Sequence, residues 1–240
     1  MFRRITLTAL LVSLAGTANA ATNINALNSI ILQNDFRLLS EDLGAALSYK
    51  AVIPAEPLGI TGFDISLEGS STKLEHADIF KKATNGGSGS TLVVPKLHVH
   101  KGLPLGIDVG AFYSAIPNSN IKLWGAELRY ALLKGGVATP ALALRGSYST
   151  LQGVSQLDFN TKGVDLSVSK GFTLVTPYAG LGKVWVSSTP VGVPGLVGED
   201  FSYSKVFAGV NVNFGLVNIA LETDKTGKAT SYSVKFGWRL

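Results

Sequence analysis

From Phe63 onward the chain alternates apolar and polar positions with period two, the pattern of a sheet whose two faces meet different surroundings. Phe63, Ile65 and Leu67 stand opposite Asp64, Ser66 and Glu68; Val93, Pro95, Leu97 and Val99 stand opposite Lys96, His98 and His100. The division recurs across Leu105–Tyr113, Trp124–Leu132, Leu142–Tyr148, Val164–Val168, Val206–Phe214 and Val217–Leu221. It is weakest between Tyr178 and Val186, where Leu181 and Trp185 share a face with Lys183. The last ten residues, SYSVKFGWRL, restore it, with Tyr232, Val234, Phe236, Trp238 and Leu240 on one side. These segments predict about ten antiparallel strands, within a range of roughly 8 to 12.

Turn chemistry separates the strands: NGGSGS at 85–90, PNSN at 117–120, KGG at 134–136 and DKTGK at 224–228. Joins near 102–104, 134–136, 171–172 and 215–216 are tight. Those near 74–88, 116–120, 151–156, 188–202 and 224–229 are expected to be mostly longer. Short turns at one end and longer loops at the other are the layout of a transmembrane barrel. Tyr113, Trp124, Tyr148, Tyr178, Tyr232 and Trp238 lie near the ends of apolar faces, where interfacial aromatics belong. A soluble barrel or sandwich with an apolar interior would show the same period. Its outer face would be rich in Lys and Glu, whereas here the polar face is Gly, Ser, Asn, Ala and isolated charges.

Composition moves the reading the same way. Only 15% of residues are charged, against a usual quarter, and there are 27 glycines. No cysteine is present, which removes thiol chemistry and Cys-ligated zinc. The opening MFRRITLTALLVSLAGTANA has Arg3 and Arg4, an apolar run from Ile5, and the small-x-small ending Ala18-Asn19-Ala20, the layout of a cleavable export signal. Cleavage after Ala20 removes Arg3 and Arg4 and takes the formal charge from +5 to +3. That apolar run is about half of what a spanning helix needs. A membrane location therefore requires a closed barrel, since only helices and closed barrels satisfy the backbone in hydrocarbon.

The expected organisation is a signal peptide at 1–20, an N-terminal helical or plug segment at 21–58, and an all-β antiparallel transmembrane barrel at 59–240. Leu27, Ile31, Leu32, Phe36, Leu39 and Leu43 fall at helical spacing, with Gly44 as a stop. On the polar faces of the strands, Asp64, Glu68, Lys96, His98, Asp108, Glu127, Arg129, Arg145, Asp165, Lys183, Glu222, Lys235 and Arg239 are expected to face the lumen. Acids and bases on neighbouring strands predict a salt-bridged, partly filled interior rather than a strongly ion-selective channel.

For enzymatic chemistry, His98 and His100 share a face, but their place at a strand end beside a tight turn predicts a polar rim pair. Neither Gly-x-Ser-x-Gly nor His-Glu-x-x-His occurs. No catalytic residue, metal or cofactor is expected.

With its signal segment, repeated dyad strands and aromatic-rich last strand, the chain resembles the outer-membrane β-barrel proteins of Gram-negative bacteria. That resemblance implies an outer-membrane location, and it implies that Tyr232, Val234, Phe236, Trp238 and Leu240 form the signal read by the barrel-assembly machinery. Leu240 stands where that class most often has phenylalanine. IPAEPLG at 53–59 is similar to the turn, Pro-Ala-x-x-Leu, after the N-terminal plug of the fatty-acid transporter family, with Ile53 in place of that family's asparagine. The expected function is a small channel or transporter for small solutes, hydrophobic ones among the candidates, plugged by the N-terminal helix. The apolar loop STPVGVPGLVGED at 188–200 favours a hydrophobic solute over a polar partner. The alternative is a non-conducting structural or adhesion barrel, and a membrane-embedded enzyme ranks behind both. Expected partners are outer-membrane lipid, the assembly machinery and the small solute, with no nucleic acid.

Overall fold

A computed structural model describes residues 23–86 and 89–240; the expected signal peptide lies outside the described residues. Ten strands form one closed antiparallel barrel: β1 (Phe63–Lys73), β2 (Thr91–Gly102), β3 (Ile107–Ala115), β4 (Lys122–Lys134), β5 (Ala141–Gln152), β6 (Leu157–Ser169), β7 (Val175–Pro190), β8 (Glu199–Phe214), β9 (Val217–Thr226) and β10 (Ala229–Arg239). Each strand pairs with its sequence neighbours, and β1 closes on β10 with Asp64 opposite Arg239 and Leu67 opposite Phe236. Backbone bonds between Phe63 and Leu240 in both directions, at 3.0 and 2.8 Å, finish the seam. Closure leaves no unpaired sheet edge.

The pleat decides which way each side chain points. Leu67, Leu128, Leu181, Val206, Leu221 and Trp238 are all more than half exposed, while the alternate positions are buried inside the barrel. This is an inside-out arrangement, with apolar residues outside and charges within. The turn end carries the connections after β2, β4, β6 and β8; the loop end carries 74–86, which includes α2 (Ala77–Ala83), and 191–198. Two loop-end joins are shorter than expected. The join expected at 224–229 is a two-residue hairpin, because Gly227 at φ +61° lets β9 and β10 continue to within two residues of each other. The join between β5 and β6 shrinks to 153–156.

The N-terminal segment fills the barrel. A 3-10 turn at Leu27–Ser29 sits at the loop end, where the Ile24 amide donates to Asn120 and the Leu27 amide to Gln156. Helix α1 (Gln33–Leu47) then enters the lumen. Phe36, Leu39, Leu43 and Leu47 form its buried stripe, packed with Phe80, Leu92, Val94, Leu123, Phe159, Val184 and Val186. Ile31 and Leu32, expected within the helix, precede it and are exposed. Gly44, expected to stop the helix, lies inside it. A Cβ there would stand 1.9 Å from Tyr203 Oη and 2.8 Å from Val186 Cγ2, so the glycine marks close approach of helix and wall. Beyond the helix, residues 49–55 continue without regular structure, all buried, to the turn end where β1 begins.

Candidate functional site: the plugged lumen

The inward face of every strand but β7 carries charge, and the N-terminal segment is tied to that charge at successive depths. Near the loop end Asp42 on α1 accepts from the backbone amides of Glu75 and His76 at 3.1 and 2.7 Å, which docks the 74–86 loop onto the helix. Burial pushes the Asp42 carboxyl above its ordinary value, against the pull of those amides and of His76. Beside it a cleft of about 230 Å³ opens at the loop end, lined by Arg37, Asp42, His76, Tyr203 and Lys228 among others.

Deeper, Lys50 meets Asp224 at 2.9 Å with both side chains wholly buried, and Thr226 donates to the same carboxylate at 2.8 Å. The Tyr49 hydroxyl lies 2.7 Å from His98 Nε2, while His98 Nδ1 lies 3.0 Å from Glu68. Glu68 also accepts from Lys96 at 2.8 Å, directly across the β1–β2 ladder. Lys205 donates to the Tyr49 carbonyl at 3.0 Å and pairs with Asp165 at 3.3 Å. Arg145 lies 3.3 Å from Glu127 and 3.9 Å from Asp165.

At the turn end Arg129 pairs with Asp108 at 2.6 Å and donates to the carbonyls of Pro54 and Glu56, and Asp108 accepts the Leu58 amide at 3.1 Å. Asp64 gathers Lys235 at 3.1 Å, Arg239 at 3.0 Å and the Asn218 amide at 3.1 Å. Each opposite-charge contact offsets desolvation that either charge alone would suffer.

Asp64, Glu68, Lys96, His98, Asp108, Glu127, Arg129, Arg145, Asp165, Glu222 and Lys235 are therefore buried inside, with Arg239 half-buried at the turn-end rim. Lys183 is a correction: it faces outward, its Nζ 5.5 Å from the centroid of Trp185. Leu181 and Trp185 set the register of β7, and Lys183 follows them. Tyr178, expected among the interfacial aromatics, points inward for the same reason, one step out of phase with Leu181. His98 and His100 are not rim residues. Both are fully buried with their rings stacked at 4.5 Å, because β2 runs on to Gly102 and places them well inside the wall.

Lys205 and Asp224 were missed, though each shares a dyad face with an inward neighbour, Phe207 and Glu222. Lys50 and Tyr49 had no such signal, since they lie outside any strand.

No protein-family model matches the chain, and no curated protein matches it. Solved structures similar to it are outer-membrane barrels. The N-terminal β-barrel domain of Pseudomonas aeruginosa OprF is 12% identical, with a TM-score of 0.37, over 74% of this chain and 97% of that one. The KdgM porin, solved in complex with disordered oligogalacturonate, is 7% identical, with a TM-score of 0.40, over 73% and 98%. OprG from Pseudomonas aeruginosa is 10% identical, with a TM-score of 0.33, over 78% and 99%. The fold assignment rests on the strand register itself.

The lumen is occupied along its length by the N-terminal segment, with an apolar core around α1 and charged groups around residues 49–58. Apolar packing holds α1 in the loop-end half, and hydrogen bonds and ion pairs hold residues 49–58 in the turn-end half.

Proposed function

We propose that this chain is an outer-membrane barrel held shut by its own N-terminal segment, acting in this conformation as a sealed structural barrel. The membrane reading draws on the outward apolar face and on the absence, among the described residues, of any other partner for it. A continuous exposed apolar surface of this extent is unfavourable in water and suited to lipid. Export by residues 1–20, and recognition of Tyr232, Val234, Phe236, Trp238 and Leu240 by assembly machinery, belong to the same proposal.

The observation that carries the sealed reading is the buried Lys50–Asp224 pair, which fixes the segment to the wall midway along the lumen. The test is single-channel recording in planar bilayers. The full-length protein should stay silent, and a variant lacking residues 24–47 should conduct. Steady openings from the full-length protein would overturn the sealed reading.

A plug that moves is the second reading, favoured because residues 49–58 carry many hydrogen bonds and ion pairs that water could replace, beside the apolar contacts of Tyr49, Ala51 and Ile53. The likeness of Pro54-Ala55-Glu56-Pro57-Leu58 to the plug turn of the fatty-acid transporter family fits here, with Arg129 holding the Pro54 carbonyl. The wall such a movement uncovers is charged, which suits small polar solutes. The hydrophobic solute keeps support only from the apolar 191–198 loop, of which Val193 and Leu196 are buried over the plug.

A further inference from the structure

We infer that Lys162 and Lys183, on the outer wall, form a docking site for phosphorylated headgroups of lipids in the leaflet at the loop end. This rests on the membrane reading above.

The outward face of each strand changes character at one level. Val175, Leu181, Val206, Leu221, Leu166 and Val164 are apolar and exposed below that level. Tyr113, Trp124, Trp185 and Tyr232 mark it on β3, β4, β7 and β10. Above it the outward positions of β7 are Ser187 and Thr189, and on β8 Ser202 and Ser204 stand across from Trp185 and Lys183. Lys162 lies level with Trp185 at this boundary, and Lys183 lies one outward position below it. The ladder sets Lys162 across from Trp185, and Lys183 across from Val164. The two lysines are thus diagonal neighbours on adjacent strands, roughly 7 to 8 Å apart at the backbone, so their long side chains can converge on one phosphate. Tyr148, across from Lys162 on β5, and Trp185 flank the pair with amphipathic rings.

Two of the turn-end lysines are held by the protein itself, whereas Lys134 there, like the outer-wall pair, has no ion pair among the described residues. At the turn end Lys101 donates to the Ile60 and Gly62 carbonyls, and Lys170 to those of Gly136, Val137 and Thr139, so these cations are occupied by the protein's own turns. Among the described residues neither Lys162 nor Lys183 has an ion pair, and only Lys183 has a partner at all, the Trp185 ring. Inside the barrel, by contrast, buried lysines meet carboxylates within 3.3 Å. Two unpaired cations beside each other repel unless an anion joins them. At the edge of an apolar band, the anion within reach is a lipid phosphate.

Trp185 reports on this site directly. In a Trp124→Phe, Trp238→Phe background it is the sole tryptophan. The protein is reconstituted in phosphatidylcholine vesicles containing brominated phosphatidylglycerol or, separately, brominated phosphatidylcholine, and Trp185 quenching is compared. The anionic lipid should be preferred about tenfold or more, and salt should weaken the preference. Lys162→Gln with Lys183→Gln should abolish it, while the barrel keeps its heat-dependent shift in gel mobility. Equal quenching by both lipids, or a preference that survives the double substitution, would overturn the site. Absence of quenching by either lipid would overturn the membrane reading, and the lysine site with it.

Discussion

Lys50 Nζ lies 2.9 Å from an Asp224 carboxylate oxygen, with both side chains inaccessible to solvent. One residue belongs to the threaded segment and the other to β9, so the contact joins plug to wall. Lys50 also donates to the Ala45 carbonyl at 3.1 Å, and Thr226 supports Asp224. Removing one partner strands a buried charge, which costs about 3 to 5 kcal/mol.

Lys50→Met should therefore destabilise the barrel by about that amount, read as a lower denaturant midpoint for loss of the compact gel form. The double variant Lys50→Met, Asp224→Leu should recover most of the loss, since an apolar pair of similar volume needs no charge compensation. A double variant no more stable than the single one would show that the pair has no special coupling.

Gly44 and Tyr203 test how closely α1 seats. The Tyr203 hydroxyl donates to the Glu41 carbonyl at 3.0 Å and occupies the space a side chain on Gly44 would need. Gly44→Ala should cost about 1 to 3 kcal/mol despite alanine's better helix propensity. Tyr203→Phe in the same chain should relieve part of that cost, because it removes the nearest clashing atom; Val186 remains close. If Gly44→Ala stabilises the protein, the helix does not sit against β8 as described.

Asp42 offers a local version of the same experiment. Its two carboxylate oxygens accept two backbone amides from the 74–86 loop, and Asn can offer only one oxygen. Asp42→Asn should loosen that loop by about 1 to 2 kcal/mol. The expected readout is faster trypsin cleavage at Lys81 and Lys82, with the barrel's own unfolding midpoint less affected.

Strand number and inside-outside phase were legible because a barrel wall obeys a strict period of two, which Leu128 against Glu127 displays without any other information. Lys183 and Tyr178 failed where the wall mixes signals: a lysine shares its face with Leu181 and Trp185, and an aromatic ring points inward. The apolar neighbours on β7 fix the phase there, and the lone charge follows it. The plug was half legible. Helical spacing through Phe36, Leu39 and Leu43 announced α1, but nothing local told Tyr49 and Lys50 to bury themselves. Their partners lie 49 and 174 residues away, and only closure of the barrel brings them together.

Leu128 and Glu127 are successive residues of β4 that point to opposite sides of the wall. Leu128 is 57% exposed, and Glu127 is buried 3.3 Å from Arg145 and 3.5 Å from His100. Leu128→Arg should cost roughly 2 to 4 kcal/mol if the residue lies near the bilayer midplane. Glu127→Arg should be at least as harmful, since it places a new cation against Arg145 and His100. Exchanging the pair, Glu127→Arg with Arg145→Glu, restores their mutual attraction but brings the new glutamate against Asp165, which faces Arg145 across the β5–β6 ladder. The swap should therefore recover only part of the loss, and adding Asp165→Asn should recover more. Unfolding midpoints of the four variants in lipid vesicles give the order directly. If Leu128→Arg is tolerated while Glu127→Arg is not, the outer face is not in lipid, and a water-facing wall becomes the better account of these strands.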